Sequence, residues 1–327
     1  MARRVAPQYL SIRIPCIMSE KSHKPEPIIA CVPNFSEGAD EAVVRAIVSA
    51  MEVDGVRLLD WSMDSDHNRS VVTIAGPPAA VLESAVRSVA QASRSIDLTR
   101  QTGVHPRIGA ADVIPFVPVS GISLDQCALL ARQCGAEIWK RTGVPVYFYE
   151  AAAARPDRAN LEDVRRGQFE QLREAALREP LRRPDVGGPG LHPTAGASAV
   201  GARKFLVAYN IYFDSPEVAL VRALAKELRA SAGGMKGVKA LGVLAHGRAQ
   251  LTMNITDLQA TPVSAVYARV CALADKHGAE PAAAEIIGLL PQIAYEQNSP
   301  WLRLLDDFDP ETKVLERRLE TPLAWPE

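Results

Sequence analysis

One order of elements can be read twice along this chain, and it limits the possible folds more than any other feature. Within 327 residues, the apolar periodicity gives β-α-β-β-α-β from Ile28 to Val119, and the same order again from Lys204 to Leu290. In the first copy, Ile28 to Val32 is a short apolar run ended by Pro33-Asn34 and Gly38, which predicts a buried strand and its exit turn. Val43, Val44, Ile47, Val48 and Met51 recur at helical spacing before Gly55. Val56 to Trp61 and Ser70 to Ala75 read as strands joined by a polar turn, Asp64 to Arg69. Gly76-Pro77-Pro78 opens a second helix that runs to Ser93, and Asp112 to Val119 closes the unit as a strand.

Extra material follows before the second copy. Ser123 to Arg141 reads as a helix, Val144 to Tyr149 as a strand, and Leu161 to Arg178 as one charged amphipathic helix with Val164, Phe169, Leu172 and Ala176 on its apolar side. Glu179 to Pro193 is crowded with proline and glycine and reads as a link. In the second copy the strands are Phe205 to Phe213, Val238 to Ala245, Gln250 to Ile255 and Glu285 to Leu290. Its helices are Pro216 to Ala232 and Pro262 to His277. The expectation is an α/β (α+β) protein of two ferredoxin-like subdomains with a cleft between them, residues 28–201 and 202–327. The tail from 291 is expected to wrap over the second unit, with a short helix at Pro291 to Gln297 and a strand at Lys313 to Glu320. Residues 1–27 read as a disordered extension, with Met18 as an alternative start, since Arg13 and Pro15 interrupt any signal-peptide core.

Composition excludes some functions. The net charge is -1, which gives no general attraction to nucleic acid or anionic lipid, and no apolar run is long enough to span a bilayer. Five cysteines without a Cys-x-x-Cys pair suggest reduced thiols in the cytoplasm rather than a disulfide frame or zinc site. A small-molecule ligand is the default.

His105 is the candidate for acid/base chemistry. Gly103, Pro106 and Gly109 place it in a loop that runs directly into a strand, and an imidazole exchanges protons near neutral pH. A loop histidine before proline also serves as a plain turn residue. Its company favours chemistry: Arg100 and Arg107 bring positive charge, and Asp97 and Asp112 are candidates to orient the ring. The segment Gly187, Gly188, Pro189, Gly190, Leu191, His192, Pro193, Thr194, Ala195 and Gly196 is glycine-dense, but it is neither a P-loop nor a dinucleotide fingerprint. It reads as a binding loop or as a linker, and Arg203 and Lys204 just beyond it favour an anionic ligand. Asp64 to Arg69 resembles a metal loop only superficially, because no EF-hand spacing follows. Asn68 and Arg69 there suit a substrate carboxylate, and no metal is expected.

Several stretches carry a family resemblance: CVPNFSEG at Cys31 to Gly38, DHNRSVVTIAG at Asp66 to Gly76, TGVHPRIGAADVIPFVPV at Thr102 to Val119, VPVYFYE at Val144 to Glu150 and GARKFLVAYNI at Gly201 to Ile211. From Ile28 to its C-terminus the chain resembles the formiminotransferase family. The resemblance implies transfer of a formimino group from N-formimino-L-glutamate to N5 of tetrahydrofolate in histidine degradation. It implies two α/β subdomains around a folate-binding tunnel, a homodimer, and His105 as the acid/base. By position it also implies folate contacts at Gly187 to Gly196. Asn68, Arg69, Arg107, Arg203 and Lys204 are the candidate partners for substrate carboxylates. A separate cyclodeaminase would act downstream. The rival readings are formyl transfer from N-formylglutamate and a non-catalytic folate-binding protein.

Overall fold

The computed structural model describes residues 26–297, 300–306 and 308–326, so nearly all of the expected N-terminal extension lies outside the described residues. The first half builds β1 (Ile28–Cys31), β2 (Asn34–Phe35), α1 (Glu41–Ala50), β3 (Arg57–Asp64), β4 (Arg69–Gly76), α2 (Pro78–Ser95) and β5 (Ala111–Ser120). It continues with α3 (Leu124–Thr142), β6 (Val146–Glu150), α4 (Leu161–Val164), α5 (Gln168–Arg178) and β7 (Ser198–Ala202). The second half holds β8 (Val207–Phe213), α6 (Val218–Leu228), β9 (Val238–Ala245), β10 (Arg248–Ile255), α7 (Val263–Asp275) and β11 (Ala283–Ile287). Short helices α8 (Gln292–Glu296), α9 (Pro310–Lys313) and α10 (Leu315–Glu320) follow. No described helix is long and apolar enough to cross a membrane.

Local chemistry sets the helix ends. Asp40 caps α1 by accepting from the Ala42 and Val43 amides. A reciprocal Ser123/Gln126 capping box starts α3, and Gly143 in the left-handed region stops it. The expected single helix from Leu161 to Arg178 is instead broken. Gly167 takes φ +84 between α4 and α5, and the chain turns there.

The strands form a seven-stranded and a four-stranded sheet. In the first, β1 and β2 behave as one interrupted strand between β4 and β5, and β3 flanks β4. All of these pairings are antiparallel. β7 then adds parallel to β5, and β6 parallel to β7. The second sheet runs β11-β8-β10-β9, antiparallel throughout. The sequence reading missed β7, because its SAVGA stretch lies beyond the glycine-rich segment and lacks the large β-branched run that marks its neighbours.

Alternation along the strands assigns the two faces of each sheet. Cys31, Phe35, Val72, Ile74, Ile114 and Phe116 point into a core shared with α1, α2 and α3. Tyr209, Ile211, Leu251, Met253 and Ile255 do the same against α6 and α7. The opposite faces look toward each other. At one end the first sheet's face is covered by its own half, where Val113, Tyr149 and Ala199 meet Val164 and Leu172 of α4 and α5. The other closes where Ala30, Leu59, Ala75 and Val117 meet Leu315, with Phe205 and Leu289 beside them. The middle stays open.

The tail departs from expectation twice. Lys313 to Glu320 is helical, not a strand. Trp301 and Val314 join the second core, but the chain then crosses back to the first half. Arg318 donates to Leu59 O at 2.8 Å, and the Leu323 amide to Leu58 O at 2.8 Å. The strap thus ties β3 to the second half. The four described cysteines, Cys31, Cys127, Cys134 and Cys271, are free thiols.

Candidate active site

Between the two sheets lies a cavity of about 440 Å³ lined from both halves, a size ordinary for a small-molecule site. The first half supplies Asn34, His67, Arg69, Thr73, His105, Tyr149, Glu150, Arg165 and Arg203. The second supplies Asn210, Lys239, Thr252, Asn254 and Glu285. Strand alternation explains this polar lining: Asn210, Thr252 and Asn254 occupy the positions of β8 and β10 that do not enter the core.

At one wall the side chains interlock. The Asp112 carboxylate, fully buried, accepts from the Ile108 amide at 2.8 Å, from Arg69 Nη1 at 3.0 Å, and from Arg165 Nη2. Arg69 Nε donates to Asn34 Oδ1 at 3.0 Å. Arg69 Nη1 also stands 3.1 Å from His105 Nδ1, whose other neighbour is Pro106 O at 2.9 Å. The imidazole is thereby held through Nδ1. Its Nε2 has no hydrogen-bond partner among the described residues, which leaves that nitrogen for a ligand in the cavity. An Nε2 free to accept a proton belongs to the tautomer in which Nδ1–H donates to Pro106 O; Asp112 then holds the Arg69 guanidinium beside the ring without touching His105 itself.

The electrostatics favour a neutral imidazole. Burial first, then the Arg69 and Arg165 guanidiniums, push the His105 pKa well below its ordinary 6.5. Burial would raise the Asp112 carboxyl, but Arg165 and Arg69 more than offset it and hold it ionised. Burial and the neighbouring Arg165 lower Arg69 to about 10, so it stays charged. Two guanidiniums share one carboxylate, and a net positive charge remains beside His105.

The other sequence candidates have different roles. Asn68, at φ 46, takes the Gly38 amide on its Oδ1 at 3.0 Å and donates to Thr102 O at 2.7 Å. Arg107 donates to Leu98 O, to Gln101 O and, through Nη1, to Glu170 Oε1 at 3.0 Å. Both residues fasten the loop that carries His105, and neither lines the cavity. Arg203 lines it; Lys204 is exposed and does not. Gly187 to Gly196 are also absent from the lining. Two glycines of this segment, Gly187 and Gly196, are closely packed. A Cβ at Gly187 would meet the Trp139 ring at 2.5 Å, and one at Gly196 would meet Ile108 O at 2.1 Å. The Thr194 and Ala195 carbonyls receive the Leu98 and Ala110 amides, so this segment buttresses the His105 loop from behind.

Sequence reasoning missed Arg165, Lys239 and Glu285. Lys239 crosses the cleft to Glu162 at 3.0 Å and Glu150 at 3.7 Å. Opposite it, His67 Nε2 lies 2.9 Å from Gln250 Oε1, and Asp66 takes the His246 amide at 2.6 Å. For Lys239 and Glu285 the available signal was a lone charge inside an otherwise apolar strand, β9 and β11. Arg165 had none, since it looked like one more charge on a solvated helix.

Comparison with known proteins agrees with this architecture. Residues 28–203 match the formiminotransferase domain, N-terminal subdomain, and residues 208–301 match the formiminotransferase domain. The glutamate formimidoyltransferase of Streptococcus pyogenes serotype M1 is 40% identical over 295 residues, 89% of this chain and 98% of that protein. The enzyme of the same name from Thermoplasma acidophilum is 39% identical, over 90% of this chain and 97% of its own. The formimidoyltransferase-cyclodeaminase of Gallus gallus is 37% identical over 82% of this chain and 51% of that longer protein. With the family's two domains matched in order along an unbroken two-sheet structure, this chain belongs to the formiminotransferase family.

Proposed function

We propose that this chain transfers the formimino group of N-formimino-L-glutamate to N5 of tetrahydrofolate, releasing L-glutamate, with His105 moving the proton. The observation that carries this reading is a neutral imidazole, held by Nδ1 beside two guanidiniums, that faces a cavity lined from both halves. N5 forms a bond to the amidine carbon and passes its proton to His105 Nε2. The imidazolium then protonates the glutamate nitrogen, and the bond from that nitrogen to the carbon breaks. A depressed pKa suits the second half of this cycle, because an imidazolium pressed by Arg69 and Arg165 returns its proton readily. The surplus positive charge beside it suits a carboxylate of the donor, which makes Arg69 and Arg165 its partners. Holding both substrates in one cavity adds the proximity contribution.

The reading extends to coarser features. Residues 28–201 and 202–327 act as two ferredoxin-like subdomains, supported by the same strand order, with the first strand beside the third and fourth and the second beyond the third. The protein works as a cytoplasmic homodimer whose product is the substrate of a cyclodeaminase; the longer relatives carry both names in one chain. The test is glutamate release from tetrahydrofolate with either N-formiminoglutamate or N-formylglutamate, for wild type and His105→Ala. Release from the formimino donor that drops about a hundredfold or more in the variant supports the reading. Release from the formyl donor alone overturns it.

A further inference from the structure

Across the cavity from His105 stands a carboxylate that the proton transfer does not use. Glu285 sits on β11 directly opposite Asn210 of β8, on the face that looks into the cleft. Its Oε1 accepts from Asn210 Nδ2 at 2.8 Å, from the Tyr212 hydroxyl at 2.6 Å and from Gln250 Nε2 at 3.4 Å. Gln250 Nε2 also donates to the Tyr212 hydroxyl at 2.7 Å, and Gln250 is fully buried. These bonds fix the carboxylate in one orientation. No hydrogen bond or ion pair to Oε2 occurs among the described residues, and no described Lys or Arg pairs with Glu285. A fixed acceptor that faces a cavity, with no cation to neutralise it, calls for a ligand edge that carries N–H donors.

The substrates narrow the choice. The carboxylates of the glutamate donor and of the folate tail would be repelled. The formimino group does carry N–H, but it must react at His105, and Glu285 lies beyond it. The His105 and His67 rings are 6.1 Å apart, His67 contacts Gln250, and Gln250 contacts Glu285. What remains is the far side of the flat ring system that carries N5. There a pterin presents N3–H and a 2-amino group as adjacent donors to the free oxygen, Oε2.

We propose that Glu285 binds the amino-pyrimidinone edge of the tetrahydrofolate pterin, oriented by Asn210, Tyr212 and Gln250, so that N5 is presented to His105. This rests on the folate reading above and names the contact that selects for a pterin. Glu285→Gln keeps the shape and removes the charge, and its amide turns one donor toward the ligand's donors.

The experiment measures the Kd of tetrahydrofolate, and of its analogue with hydrogen in place of the 2-amino group, by titration calorimetry. The KM for N-formiminoglutamate is measured alongside. E285Q should weaken tetrahydrofolate about tenfold to a hundredfold, leave the donor KM near wild type, and bind the two folates alike, whereas wild type prefers the parent. Tyr212→Phe, which keeps the charge and loses one orienting bond, should weaken tetrahydrofolate by a smaller factor. If E285Q does not fold, Y212F and the wild-type analogue comparison decide. Unchanged tetrahydrofolate affinity in E285Q, or wild type that binds both folates equally, overturns the assignment. Folate binding that depends on Glu285 in a wild type that releases no glutamate would instead overturn the reaction and leave the contact standing.

Discussion

Replacing Asp112 with Asn removes the one carboxylate shared by two guanidiniums. Asp112 is fully buried, and Arg69 and Arg165 are 9% and 11% exposed, so solvent screens little of this cluster. The amide can still accept from the Ile108 amide through its oxygen, so the local backbone keeps its bond. Its NH2 must then face guanidinium donors, and both charges lose their partner. Breaking a buried pair in this way costs about 3–5 kcal/mol, a large part of a typical margin of about 5–15 kcal/mol. The measurement is a urea midpoint followed by tryptophan fluorescence and circular dichroism, read for the first transition because two lobes need not unfold together. Removing one surplus charge as well, in Asp112→Asn with Arg165→Met, should recover about 1–3 kcal/mol of that loss. A single-variant cost below about 1 kcal/mol, or a double variant that is merely additive, would refute the shared-carboxylate argument.

The acid limb of kcat/KM should have its midpoint below the ordinary histidine value of 6.5, because His105 must be neutral to accept a proton. Arg165→Met should move that midpoint up, and no movement would remove Arg165 as a cause. The same depression affects stability: between the lowered pKa and 6.5 the unfolded chain binds a proton that the native one does not. Stability therefore rises with pH across that window and is lost as pH falls through it, which a series of denaturation midpoints would show. Gly196→Ala should cost about 1–3 kcal/mol by thermal or urea melting, since φ is +68 and the Cβ would press on Ile108 O. Wild-type stability would contradict that packing. Arg69→Ala should raise the KM for the glutamate donor, and an unchanged value would remove Arg69 from substrate binding.

Much of the fold can be read along the chain because each element signals locally. Asp40, the Ser123/Gln126 pair and the Pro77-Pro78 start mark helix ends within a few residues, and strand alternation in β4, β8 and β10 separates core from cleft. His105 could be found for the same reason, since Gly103, Pro106 and the strand beyond it define its loop. The errors lie where long-range contact overrides local pattern. SAVGA becomes a strand because β5 and β6 offer it partners on both sides. Lys313 to Glu320 is helical where Leu315 and Leu319 pack against β3.

The sequence by itself determined the doubled β-α-β-β-α-β order, most helix boundaries, the family motifs and the candidate histidine, because all are written within a dozen or so neighbouring residues. Only the tertiary structure decided which charges act on that histidine. Arg69, Asp112 and Arg165 come from separate elements and meet because β5 pairs beside β2 and α4 folds over it. It also decided that Glu285, remote in the chain, faces His105 across the cavity. Burial sets the protonation of these groups, and burial belongs to the packed sheets and not to any single stretch of chain.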